Sequence, residues 1–199
     1  MRFSVGMHKQ LIIENLGIVW YAVPFIGNNK IFNELLEKTA WTFDEVKIFG
    51  RSIITRRKVA WYGDRDFDYR YSGHSRLALP WTDELLLIKE LADQFCETSF
   101  NSCLLNLYHN GSEGMGWHSD DEKSLDPDAP IASISFGQER RFLFRLRSDH
   151  GQKKEILLEN GSLLLMDASS QRFWQHSLPV SKKSTGARIN LTFRRMRES

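Results

Sequence analysis

Two histidines and one carboxylate stand at a spacing that suits a metal ion. In "GWHSDDE" (116–122), His118 and Asp120 are two residues apart. On an extended segment alternate side chains share a side, so this imidazole and carboxylate would point the same way. "FWQHSLP" supplies His176 on a second extended segment, with 55 residues between it and Asp120. Two histidines and a carboxylate are the facial triad of non-haem Fe(II) oxygenases, which leaves three coordination positions open. Three acids after a histidine also suit a solvated turn, and an H-x-D pair is common by chance. Order and spacing raise the metal reading.

Twelve residues beyond His176 lies Arg188, in "ARINLTFRR" (187–195). Alternation puts Ile189, Leu191 and Phe193 on one face of a strand and Arg188, Asn190, Thr192 and Arg194 on the other. The polar face is either an exposed edge or the lining of a polar barrel interior. In an interior, the two arginines would need anions, and a small dicarboxylate supplies them. Iron with open positions beside an arginine-held dicarboxylate is the constellation of a 2-oxoglutarate oxygenase. "LLNLYHN" repeats the pattern, with Asn106 and Tyr108 on one face and Leu105 and Leu107 on the other; such a pair is more often structural. His8, His74, His109 and His150 have no partner pattern and read as surface or turn residues. The basic run "RSIITRRK" (51–58) is bracketed by Phe49, Trp61 and Tyr62. It is either a solvated face or a surface for phosphate contact and base stacking.

The elements that must position these residues follow from periodicity. Residues 30–40 read as a helix, capped by Asn28 or Asn29, with Ile31, Leu35 and Leu36 on its apolar face. Residues 82–97 read as the strongest helix, with Thr82 as N-cap and Leu85, Ile88, Leu91 and Phe95 at helical spacing. From about residue 101, short strand-like runs alternate with turns: 103–108, 131–137, 141–147, 155–158, 162–166 and 187–195. Residues 45–73 hold further extended pieces rich in arginine and aromatics, and 17–27 reads as a buried strand. Helices first and many strands after suggest a sandwich or barrel with helices outside it.

With 199 residues, 41% hydrophobic and 26% charged, the chain suits one soluble globular domain. A net charge of +2 neither demands nor excludes nucleic acid. Cys96 and Cys103 fit no disulfide framework or zinc spacing, which points to a reducing compartment. No secretory signal or membrane span is evident.

Taken together, "FGRSIITRRKVAWYGD" (49–64), "YRYSG" (69–73), "NLYHNGSEGMGWHSDDE" (106–122), "PIASISFGQERRFLFR" (130–145), "GSLLLM" (161–166), "HSLP" (176–179) and "RINLTFR" (188–194) resemble the AlkB family of Fe(II)/2-oxoglutarate-dependent nucleic-acid dealkylases. The similarity is greatest to its duplex-DNA repair subgroup. It implies an α+β, mostly β fold: a double-stranded β-helix (jelly-roll) core with N-terminal helices packed outside. The chain would be a single catalytic domain over 1–199, with a nucleotide-recognition lid at about 45–75 and the jelly roll at about 100–196.

The resemblance implies His118, Asp120 and His176 as iron ligands. Asn106, Tyr108, Arg188, Asn190, Thr192 and Arg194 would hold 2-oxoglutarate, with Arg188 on its distal carboxylate. Tyr71, where the subgroup carries phenylalanine, would stack on a flipped base opposite His118, and Glu122 would contact its exocyclic edge, with Asp121 beside it facing the base. Phe49 would enter the duplex stack, and Arg56, Arg57 and Lys58 would meet DNA; Arg56 stands where the family has proline. The implied reaction uses Fe(II), 2-oxoglutarate and O2 to hydroxylate the N-alkyl carbon of bases such as 1-methyladenine and 3-methylcytosine. It releases succinate, CO2 and formaldehyde. The implied partner is alkylated DNA, single- or double-stranded, with RNA also open. A monomer is expected, cytoplasmic in a bacterium or nuclear in a eukaryote. The alternatives are an oxygenase of the same fold acting on RNA, protein or a small molecule, and a non-catalytic binding domain.

Overall fold

Alternation of apolar and polar residues builds most of this chain into antiparallel strands. The structure is a computed structural model that describes residues 2–3, 10–13, 19–22, 25–26, 28–48, 51–71 and 74–197. Short strands β1 (Arg2–Phe3), β2 (Gln10–Ile13), β3 (Val19–Ala22) and β4 (Phe25–Ile26) precede helix α1 (Asn28–Lys38). Strands β5 (Thr42–Ile48) and β6 (Arg51–Gly63) form a ribbon, and β7 (Asp68–Tyr71) pairs with β8 (His74–Leu77). Helix α2 (Asp83–Cys96) follows. Then come β9 (Ser102–Tyr108), β10 (Met115–His118), β11 (Ile131–Gly137), β12 (Arg140–Leu146), β13 (Lys153–Leu158) and β14 (Ser162–Met166). A short helix α3 (Ala168–Phe173) leads into β15 (Trp174–Leu178) and β16 (Arg188–Arg194).

The larger sheet runs β2-β3-β14-β11-β16-β9-β6-β5 and the smaller β10-β15-β12-β13, with neighbouring strands antiparallel. This is the jelly roll expected from the sequence. The helices cover one face of the larger sheet. Ile31 and Leu35 of α1 and Leu85, Ile88, Leu91 and Phe95 of α2 share one core with Ile189, Leu191 and Phe193 of β16. Those three β16 side chains are fully buried, and each contributes about 1.5–3 kcal/mol by leaving water. Strand β16 lies between β11 and β9 and all seven of its residues are buried, which rules out the exposed edge. Its polar face therefore lines the interior.

Local signals differ in how well they hold. Thr82 caps α2 as expected, its hydroxyl accepting from the Leu85 N–H at 3.3 Å. Helix α1 begins at Asn28, with Asn29 in its first turn; the side chain of Asn28, one of the two expected caps, lies outside the described set. Leu36 is 38% exposed, because α1 meets the sheet through Ile31 and Leu35, with Phe32 packed beside them. Within 17–27, strands form at Val19–Ala22 and Phe25–Ile26, whose side chains lie outside the described set. Neither Cys96 nor Cys103 forms a disulfide. No described helix is long and apolar enough to cross a membrane.

Candidate metal centre

The pairing of β10 with β15 sets His118 directly across from His176. Their Nε2 atoms are 3.1 Å apart, and a carboxylate oxygen of Asp120 lies 3.7 Å from His118 Nε2. The three ligand atoms fall within 4.8 Å of one another. Adjacent donors on an octahedral ion with bonds of about 2.1 Å stand about 3 Å apart, so the set fits one cation. His118 Nδ1 is 2.8 Å from the Gly116 carbonyl. With its proton given to that carbonyl, the Nε2 lone pair faces the centre, the tautomer a metal needs.

Each ligand is held from behind. The Asp120 backbone N–H donates to Gln171 Oε1 at 2.9 Å, and Ser119 Oγ donates to the Trp174 carbonyl at 2.9 Å. Arg194 lies 2.9 Å from the Asp120 carboxylate, both side chains buried. Burial alone would push the Asp120 carboxyl up; Arg194, then His176 and His118, outweigh it and hold it well below the usual carboxylate range. His176 is lowered to about 3, chiefly by burial and also by His118 and Arg194, against the pull of Asp120. A neutral imidazole beside an ionised carboxylate is the donor state a divalent ion requires. The Phe142 ring stacks on His176 with centroids 5.3 Å apart.

These residues open into a pocket of about 880 Å³, mouth included. Arg188, Asn190, Thr192 and Arg194 of β16 line it, as do Asn106 and Tyr108 of the neighbouring β9. Arg188 is 2% exposed. Its Nη2 donates to Ser135 Oγ at 2.9 Å and to Asn190 Oδ1 at 2.6 Å, both neutral. Its buried Nε has no hydrogen-bond partner, and neither has Asn106 Oδ1. Burial lowers Arg188 to about 10, Tyr108 opposing and Arg140 adding to the fall. A buried guanidinium held only by neutral groups suits an anionic ligand.

Comparison with known proteins agrees with this chemistry. Residues 27–194 match the model of the 2OG-Fe(II) oxygenase superfamily. The chain is 36% identical to DNA oxidative demethylase ALKBH2 of Mus musculus, over 84% of this chain and 74% of that protein. It is 39% identical to alpha-ketoglutarate-dependent dioxygenase alkB homolog 3 of Bos taurus, over 69% of this chain and 51% of that protein. The chain belongs to the AlkB branch of the 2OG-Fe(II) oxygenase superfamily. The solved structure of OsALKBH1 shares the fold, with a TM-score of 0.61 and 18% identity, over 94% of this chain and 100% of that one.

As a member of this family the protein is a dioxygenase using Fe(II), 2-oxoglutarate and O2. The donor set of His118, Asp120 and His176 fits the iron, and the anion-seeking Arg188 fits the dicarboxylate.

Other residues expected to be functional are distributed differently. Arg57 is not on the surface for DNA: it is 6% exposed and turned into the pocket. There it is ion-paired with Asp44, with its Nη1 3.3 Å from Met115 Sδ. Burial works against its charge, but Tyr108 and Asp44 outweigh burial and raise its pKa. Arg56 is exposed, and Lys58 is half-buried with its ammonium 5.2 Å from the Phe43 ring centre. Asp121 does not enter the pocket either. It lies 3.0 Å from Arg147, because the chain leaves β10 after His118 and turns this acid outward. Glu122 lines an adjoining cavity together with Arg147 and Arg172. Tyr71 ends β7, its side chain outside the described set, and Phe49 lies outside the described residues altogether. Asp44, Gln171 and Ser135 are functional neighbours that sequence reasoning misses. Only Ser135 leaves a signal, as a small polar residue between the apolar Ile134 and Phe136 in "IASISFG".

Proposed function

We propose that the protein repairs DNA by oxidative demethylation of N-alkylated bases such as 1-methyladenine and 3-methylcytosine. One observation carries the reading: the metal triad and a buried, anion-seeking Arg188 share one pocket in a chain closely similar to a DNA oxidative demethylase. When bound, iron and 2-oxoglutarate with O2 supply the oxidant that hydroxylates the N-alkyl carbon, and the product then loses formaldehyde. Arg188 fixes the distal carboxylate, with Ser135 and Asn190 steadying its guanidinium. Arg194 and Gln171 keep Asp120 ionised and aimed. Leu104, Met115, Phe142 and Leu178 keep water from the reacting carbon.

A base in a duplex must be flipped to reach such a pocket, at a cost of about a few kcal/mol, less when methylation has already broken its pairing. In this reading the lid spans about 45–75, Tyr71 stacks on the flipped base opposite His118, and Phe49 fills the gap in the stack. Arg56 and Lys58, on the outer side of β6, meet the phosphates. The protein acts as a monomer in the compartment that holds DNA.

The test is incubation with Fe(II), 2-oxoglutarate and methylated single- and double-stranded DNA, with methylated RNA and a methylated peptide alongside. Formaldehyde from DNA above the other substrates supports the reading; turnover of RNA or peptide alone would assign the oxygenase elsewhere. Phe49→Ala is expected to reduce duplex activity more than single-strand activity, and equal losses would remove the finger role.

A further inference from the structure

Strand β10 carries His118 but holds it poorly by itself. It has four residues, none of them buried, and lies at the edge of the smaller sheet. Its ladder to β15 pairs Met115 with Leu178 and His118 with His176, and the register shifts between the two pairs. A slip of one residue turns the side chains of a strand to its other face. Such a slip would carry His118 Nε2 away from His176 and Asp120, so the register needs a support beyond the ladder.

That support stands at the far end of the strand pair. Arg140 opens β12 and is 2% exposed. The ladder of β12 on β15 ends at Leu143 and Ser177, short of Arg140, and there the guanidinium takes over. Its Nη2 donates to the Glu113 carbonyl at 2.9 Å and to the Pro179 carbonyl at 2.8 Å, and its Nη1 donates to the Asn110 carbonyl at 3.4 Å. Glu113 lies just before β10, and Pro179 directly follows β15. One planar fork thus ties the entry of one ligand strand to the exit of the other. The two turns also close on each other. The Gly111 N–H donates to the Ser184 carbonyl at 2.7 Å, and the Ser181 N–H donates to the Gly111 carbonyl at 2.8 Å. A Cβ at Gly114 would overlap the Leu178 carbonyl, so the backbones meet there only with glycine. Burying a guanidinium on neutral carbonyls carries a desolvation cost that an apolar side chain avoids. An apolar side chain cannot tie two turns together.

We propose that Arg140 is a positioning residue of the metal centre: by tying the turn before β10 to the turn after β15, it fixes their register and holds His118 across from His176. Arg140 does not line the pocket, so it acts through His118 and not on metal, co-substrate or base.

The test is Co(II) binding to the metal-free protein without oxygen, read by titration and by the visible absorption of the bound ion. Arg140→Met is expected to bind Co(II) about 10–100-fold more weakly, with shifted absorption bands. Arg140→Lys, which keeps a cationic donor between the turns, should fall between that variant and the wild type. In a His118→Ala background, Arg140→Met should weaken binding by less than about twofold more, because its effect runs through that ligand. Hydrogen exchange of the metal-free protein should quicken at Trp117 and His118 and stay unchanged along β16. Gly114→Ala forces the same junction apart with Arg140 in place; it should give the same loss and is read in its stead if Arg140→Met does not fold. Wild-type affinity and absorption in the variant that folds, equal losses with and without His118, exchange that quickens along β16 as much as at His118, or unfolding of both variants would overturn the proposal.

Discussion

Arg188 makes opposite demands on stability and on co-substrate binding, and that opposition can be measured. Its guanidinium is buried, hydrogen-bonded to the neutral Ser135 and Asn190, and lowered by burial to about 10, well below the ordinary arginine value. At 1.36 kcal/mol per pH unit, keeping it charged against neutral partners costs about 3 kcal/mol. The distal carboxylate of 2-oxoglutarate relieves that cost and adds charge-assisted hydrogen bonds of about 1.5–3 kcal/mol each. Replacement by methionine is therefore expected to weaken 2-oxoglutarate binding by on the order of 10²–10⁴-fold. Urea stability without 2-oxoglutarate should stay level or rise by about 1 kcal/mol. Calorimetric titration of the Mn(II)-loaded, oxygen-free protein gives the first number and urea unfolding the second. The pH dependence has a definite sign. The folded-state value lies below the ordinary one, so as pH rises from about 10 towards the ordinary arginine value the unfolded chain holds a proton the folded one has released. The protein without 2-oxoglutarate should gain stability as pH rises through that window, and Arg188→Met should lose the gain. A variant that bound 2-oxoglutarate like the wild type, or that lost several kcal/mol of stability at unchanged affinity, would refute the reasoning.

Other consequences follow from the groups behind the ligands and from the helix cap. Gln171→Leu strips the acceptor from the Asp120 N–H and should weaken metal binding about 10–100-fold by metal titration; unchanged affinity would show that Asp120 is held by Arg194 alone. Asp44→Ala leaves Arg57 charged in the pocket wall and should cost about 3 kcal/mol in urea unfolding, whereas Arg56→Ala should stay within about 0.5 kcal/mol. Equal costs would contradict the burial of Arg57. Thr82→Ala should cost about 1 kcal/mol through loss of the α2 cap, read as a lower thermal midpoint.

The parts of the site that lie on regular strands are legible in the sequence. β16 alternates strictly, so residue types alone assign Arg188, Asn190, Thr192 and Arg194 to one face, and that face lines the pocket. His118 and His176 are legible as a pair, but their cross-strand register is not. Register depends on which strands meet, and β10 and β15 are 55 residues apart in the chain. Arg57 is hidden because a basic run looks solvated. Its partner Asp44 sits on another strand, and a bulge that no local pattern announces turns the pair inward. Asp121 is placed at the base by the resemblance alone, and its ion pair with Arg147 holds it outside the pocket. Helix α3, which supplies Gln171, is six residues long and too short to show a period.

The most direct test of the demethylase assignment is the stoichiometry of products from a 1-methyladenine-containing DNA duplex. With Fe(II), 2-oxoglutarate and O2, the wild type should release formaldehyde and succinate in equal amounts as the methyl group disappears from the base. Asp120→Ala, folded by circular dichroism, should release neither. Succinate without formaldehyde or loss of the methyl group, or formaldehyde release that persists in Asp120→Ala, would contradict the assignment.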